Sequence, residues 1–305
     1  MPNQDLQRRI IQALAMGHFE KLELINCIAL NDENLIRLLK NSPDIKELRL
    51  INCDNLGEEA IRYIAEKCKE LKELHFQSSK LKKLTGHAPF LKSAPLTFDQ
   101  LEVLDVSGCG SLTKADLVAP NLKHFRARNC PLKMLRISNT PALPGECRLE
   151  RLDISGAELK DLTLISQVLE TLIMEDCSVL ASFKIAGQPT CPSLRFVNIT
   201  NSPFLLQEFG HKEATKKYPK IRELIVAKES FSVIKENWHG PDEVTFCTQL
   251  TKDQGIKVSF DLAFLYGMLP RIRKKDFIVS VMKKGLEYDA KFILDFIFLC
   301  VMKVI

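Results

Sequence analysis

The pattern LxxLxLxxC recurs along this chain, and a recurrence of this size restricts the fold more than any other feature of the sequence. It reads FEKLELINC from Phe19, IKELRLINC from Ile45, LEVLDVSGC from Leu101, LKHFRARNC from Leu122 and LETLIMEDC from Leu169. Forms without the cysteine begin at Leu71, Leu149, Leu194 and Ile221. The nine starts lie 26, 26, 30, 21, 27, 20, 25 and 27 residues apart, the spacing of an array of supersecondary units. Within each unit the LxL alternation makes a short strand whose leucines point inward while the intervening side chains point out. One such strand cannot bury its apolar face alone, but stacked copies can, so the pattern predicts a parallel sheet along the array. The closing Cys or Asn is placed to bond backbone groups in the turn that follows.

These residues resemble the leucine-rich repeat family over roughly residues 19–228. The first two units have 26 residues and run on into helical spacings, Leu35, Ile36, Leu38 and Leu39 in one and Ala60, Ile61, Ile64, Ala65 and Cys68 in the other. They are similar to the cysteine-containing subclass found in F-box adaptor proteins. The stretch LQRRIIQALAMG resembles the helical half of such a unit, so residues 1–18 are read as an N-terminal helical cap. The resemblance implies an α/β fold, a curved solenoid with a parallel concave sheet; beyond it, residues 229–305 are read as a mainly helical C-terminal extension.

Between Leu101 and Leu194 a second apolar series intervenes: Leu112, Ala115, Leu117; Leu132, Leu135, Ile137; Leu159, Leu162, Leu164; Leu180, Phe183, Ile185. A half-period of about 10 residues is too short for a helix with two turns at about 1.5 Å per residue. Extended segments are therefore expected on the convex side as well. Pro- and Gly-containing insertions lengthen three units, TGHAPFLKSAPLTFDQ, TPALPGECR and AGQPTCPS, and are expected as edge loops. After Ile225 the repeat fades. Two helices are expected within Phe260–Ile305, the last carrying the apolar stripe Phe292, Ile293, Phe296, Leu299 and Cys300, suited to capping the last repeat or to a membrane surface.

Charge and cysteine usage limit the function classes. The net charge is +5, with 17 Lys and Arg against 12 Asp and Glu from His211 to Ile305 and 26 of each sign before that. No basic groove runs along the chain, so nucleic acid is not an expected partner. Ten cysteines without a CxxC pair, and no signal-peptide pattern at the N-terminus, point to reduced thiols and a cytoplasmic setting. The repeat cysteines occupy a structural turn, which presents no tetrahedral ligand set. No phosphate-binding, zinc-protease or nucleophile-elbow motif occurs. His75 and His124 fall on separate strands, Cys300 sits in an apolar run that mutes it, and Cys247 has no enzyme motif around it. Neither a catalytic residue, a metal nor a cofactor is expected.

The outward strand positions remain, free of the core and available for recognition. Acidic residues gather on the first strands (Glu23, Glu47, Glu73, Asp105). Farther along, His124, Arg126, Arg128 and Arg151 form a basic spot, with Ile173 and Phe196 as apolar neighbours. By resemblance, this concave sheet binds a protein partner through Arg126, Arg128, Arg151, His124, Ile173 and Phe196. An adaptor in ubiquitin ligation is one version, although the 18 residues before the first strand are too few for an F-box. A bacterial effector in a host cytosol is another. The alternatives are an enzyme with its active site in the C-terminal extension and a peripheral membrane protein held by the final helix.

Overall fold

A computed structural model of the chain describes residues 2–86, 94–140, 147–185, 193–210, 214–221, 223–226 and 276–280. In chain order it begins with α1 (Pro2–Leu14), β1 (Lys21–Ile25), α2 (Asp32–Leu39), β2 (Glu47–Ile51), α3 (Glu58–Lys67) and β3 (Glu73–Phe76). Short strands follow: β4 (Lys83–Leu84), β5 (Leu96–Thr97), β6 (Val103–Asp105), β7 (Lys114–Val118), β8 (His124–Arg126), β9 (Met134–Ser138) and β10 (Arg151–Asp153). Then come β11 (Asp161–Leu164), β12 (Thr171–Ile173), β13 (Ser182–Ile185), β14 (Phe196–Asn198), α4 (Pro203–Gly210), α5 (Ala214–Lys217), β15 (Glu223–Ile225) and β16 (Asp276–Ser280).

The chain is an α/β protein built on a large parallel sheet, in the order β15-β14-β12-β10-β8-β6-β3-β2-β1-β16. Nine of these strands are the LxL segments, and each of those neighbours the next in sequence. Inward residues stack in register: Leu104, Phe125, Leu152 and Leu172 are aligned across four adjacent strands and each is 0% exposed. The last two residues of each triplet in the second apolar series lie on β7, β9, β11 and β13, which pair in smaller parallel sheets, β7 with β9 and β11 with β13. The core sits between these layers.

Local chemistry explains where the helices lie. Asn31 caps α2 by accepting from the Asn34 amide at 2.9 Å, Asp32 and Glu33 occupy its first turn, and Leu35, Leu38 and Leu39 are buried. In α3 the residues Ala60, Ile61, Ile64 and Ala65 face the core. The Gly57 amide at its start donates to Asp32 at 2.7 Å, tying one helix start to the next. Helices α4 and α5 close the array near β15, where Phe209 stacks on Tyr218 with ring centroids 4.7 Å apart.

Seven strands of the large sheet, β1, β2, β6, β8, β10, β12 and β14, end in a tight turn with a repeated conformation. Asn26, Asn52, Asn129, Asp176 and Asn201 have φ between 53° and 58°, and Gly108 and Gly156 occupy the equivalent turn position at 78°. Asn, Asp and Gly are the residues that enter this left-handed region at least cost. The next residue bonds backward. The thiols of Cys53, Cys109, Cys130 and Cys177 donate to the carbonyls of Leu24, Phe76, Val106 and Ile154, at 3.6, 3.2, 3.1 and 3.5 Å. Ser202 does the same with its hydroxyl, 2.5 Å from the Met174 oxygen. The cysteines are thus cross-strand hydrogen-bonding groups.

All seven described cysteines are free and buried. Burial pushes the thiols of Cys68 and Cys109 up to about 12 and those of Cys130 and Cys177 up to about 11. Cys53 is raised as well, by its contact with the Cys27 thiol and by burial. At pH 8 the reactive thiolate is then about one part in a thousand or less. Iodoacetamide should label Cys109, Cys130 and Cys177 only after denaturant is added. Mass-spectrometric detection of labelling within minutes on the native protein would contradict their burial.

Of the span 229–305, read from the sequence as mainly helical, the described residues are those of strand β16. It pairs in parallel with β1, from Lys21 opposite Asp276 to Ile25 opposite Ser280. Ile225 and Asp276 therefore lie near opposite edges of one sheet. The basic run 271–275, the stripe of Phe292 to Cys300, and Cys247 lie outside the described residues, as do the centres of the three insertions. Among the described residues, no helix is long and apolar enough to cross a membrane.

Candidate functional site

The side chains opposite the core alternate with the inward leucines, as in the buried and half-buried sequence of β2. On the first strands they form a line of ionic contacts. Arg49 meets Glu73 at 2.6 Å, His75 Nε2 lies 2.7 Å from the same Glu73 oxygen, and His75 Nδ1 is 3.7 Å from Asp105. Arg126 then approaches Asp105 at 3.8 Å. Burial raises Glu73, but hydrogen bonds from His75 and Arg49 and the charge of Arg49 outweigh it, leaving the carboxyl below its ordinary value.

Strands β8 and β10 bring the predicted basic spot together. Their register places Arg151 beside His124 and Asp153 beside Arg126. Arg128 reaches past β10 to Glu175 at 2.6 Å, and Glu175 also accepts from Asn198. The gap it crosses is occupied by Ser155, whose hydroxyl lies 2.9 Å from Asp153. Arg151 has no ion-pair partner among the described residues, and the Nε atoms of both Arg126 and Arg151 are buried without a hydrogen bond. Burial and the neighbouring charge of Arg126 lower the Arg151 guanidinium below its ordinary value, with Asp153 opposing.

Phe196 lies on β14 in the outward row of His124, Arg151 and Thr171, half-buried. Ile173 is placed differently from the expectation of an exposed apolar neighbour, being 8% exposed. It sits in register between Asp153 and Asn198, themselves 6% and 2% exposed, so it fills the sheet surface and offers little area to a ligand. Sequence reading passed over Asp153, Glu175 and Asn198 as site residues. The same outward alternation marks them: Asp153 lies beside Arg126, Glu175 meets Arg128, and Asn198 donates to Glu175.

Among the described residues no group of three or more His, Cys, Asp and Glu is arranged to hold a metal ion. His75 on β3 and His124 on β8 are separated by β6. The face consequently offers guanidiniums, a ring and hydrogen-bonding groups, which suit non-covalent recognition. Comparison with protein-family models and with curated proteins finds no match for this chain.

Acid should weaken the fold through this face. Burial pushes His124 below its ordinary value, Glu150 opposes, and Arg126, Arg151 and Lys123 push it further down. A depressed folded-state value means that the unfolded chain binds the proton more readily, so stability is complete above the unfolded value and lost as pH falls. Glu73 acts with the same sign in the carboxylate range. Urea midpoints should therefore fall below about pH 6.5 for the histidine and again below about pH 4.5 for the carboxylate. His124→Gln should remove the first fall and keep the second. An unchanged profile between pH 7 and 5.5 would show that His124 plays no part.

Proposed function

We propose that the chain is a leucine-rich-repeat solenoid that recognises a protein partner on the open, concave face of its large sheet. One observation carries this reading: across adjacent parallel strands, outward side chains not needed for the core gather Arg126, Arg128, Arg151, His124 and Phe196 into one patch. Neighbouring strands are about 4.8 Å apart, so residues distant in sequence meet a partner together. Arg and aromatic residues at such a centre are the types that dominate protein interfaces. Binding here requires neither a cofactor nor a metal, and an adaptor or an effector inside a cell fits the chemistry. Strand β16 bears on the same architecture by closing the β1 edge.

Affinity capture with the tagged full chain tests the proposal. Arg126→Ala, Arg128→Ala and Phe196→Ala should each weaken partner retention about tenfold while the far-ultraviolet spectrum is unchanged. Lys114→Ala and Lys184→Ala, on β7 and β13, should leave it intact. Retention that survives the first set and is abolished by the second would move the recognition surface to the other layer.

A further inference from the structure

Within the basic spot the three arginines are not equivalent. Arg128 is held by Glu175 at 2.6 Å. Among the described residues Arg126 has only Asp105 at 3.8 Å, and that carboxylate also accepts from the Ser107 amide at 2.9 Å and lies near His75. Asp153, beside Arg126 in register, is 6% exposed and has one oxygen occupied by the amide and hydroxyl of Ser155, at 3.3 and 2.9 Å. Arg151 has no carboxylate within ion-pair distance among the described residues. Two guanidiniums on adjacent strands thus carry buried, unpaired Nε donors, beside carboxylates that each already accept from a neighbouring backbone amide.

We infer that Arg126 and Arg151 form a carboxylate-binding pair that takes an acidic side chain from the partner, with Phe196 two strands from Arg151 in the same outward row; this rests on the recognition reading above. The fork of Nε and one Nη matches the two oxygens of a carboxylate. In the resting side chains the Nε of each fork has no acceptor, so binding turns a guanidinium toward the open face and supplies one. A single negative charge suits the place better than a doubly charged phosphate, because Asp105 and Asp153 border it on adjacent strands and repel added charge. The side chain of Arg126 is 37% exposed, which leaves its guanidinium within reach of an incoming ligand.

The test titrates the full chain with pentaglutamate, pentaglutamine and inorganic phosphate, following arginine Nε–Hε resonances by nuclear magnetic resonance. Pentaglutamate should shift the signals of Arg126 and Arg151 saturably, and pentaglutamine should not. Arg151→Gln and Arg126→Gln should each raise the dissociation constant at least about tenfold. Arg49→Gln, at an arginine outside the patch that Glu73 holds at 2.6 Å, should change it less than about twofold, and Arg151→Lys should not restore full affinity because lysine lacks the fork. Unchanged melting temperatures of the variants exclude misfolding as the cause. Absence of a saturable shift, an Arg49→Gln effect equal to that of Arg151→Gln, or tighter binding of phosphate than of pentaglutamate overturns the carboxylate pair. If pentaglutamate fails while Phe196→Ala still abolishes partner capture, only this inference falls. If capture depends on Lys114 and Lys184 instead, the recognition face falls with it.

Discussion

Phe125→Ala should lower the unfolding free energy by about 3–5 kcal/mol, whereas Phe196→Ala, the same truncation on another strand of the same sheet, should cost less than about 1 kcal/mol. Phe125 is 0% exposed on β8, aligned with Leu104 on one side and Leu152 on the other. Its removal costs the transfer energy of the ring and leaves a cavity that fixed strands on both sides cannot collapse to fill. Phe196 belongs to the opposite face of its strand and remains half-buried. A domain of ordinary stability has only about 5–15 kcal/mol to lose, so Phe125→Ala should lower the melting temperature by roughly 10 °C. Differential scanning calorimetry of the two variants measures the contrast directly. Equal losses would mean that the inward and outward assignments of β8 or β14 are wrong by one residue.

That contrast rests on what was legible in the sequence. Strict alternation specifies which side chains face inward, because a one-residue slip would turn every leucine of a strand outward. The half-period in the middle of the chain was also readable, and β7, β9, β11 and β13 occupy it. Helices α2 and α3 announced themselves through apolar stripes. Helix α4 did not: PFLLQEFG is apolar on several sides and has no stripe to detect, although Leu205 and Phe209 are fully buried in it. The pairing of β16 with β1 joins residues some 250 positions apart, and local periodicity carries no information about a contact of that range.

The candidate face was legible to the level of columns and no further. Alternation named His124, Arg126, Arg128 and Arg151 as outward and neighbouring, and the register brings them together. It could not tell a committed arginine from an uncommitted one. The Arg128 contact with Glu175 spans 47 residues and skips a strand, and it depends on Ser155 being small enough to let the longer side chain pass. Ile173 shows the reverse limit. An outward position on a strand is exposed only when its flanking residues leave it open, and Asp153 and Asn198 do not.

The turn cysteines set hydrogen bonding against hydrophobicity, and Cys109→Val against Cys109→Ser decides between them. Cys109 is 0% exposed, donates to the Phe76 carbonyl at 3.2 Å and accepts from the Ser78 amide at 3.4 Å. If the thiol were only a small apolar filler, valine would serve as well or better, and serine would suffer for burying a hydroxyl. The backward bonds predict the opposite order. Valine leaves a buried carbonyl and a buried amide without partners, each costing about 1–3 kcal/mol, so Cys109→Val should destabilise the protein by roughly 2–4 kcal/mol. Serine keeps a donor and an acceptor at the same position, and Ser202 already makes the equivalent bond to Met174. Cys109→Ser should consequently cost less than about 1.5 kcal/mol. Urea unfolding of both variants, with the slope checked for constancy, gives the order. Valine matching or exceeding serine would mean that the thiol contributes through packing, and that the bond geometry at 3.2 Å adds nothing measurable to the stack.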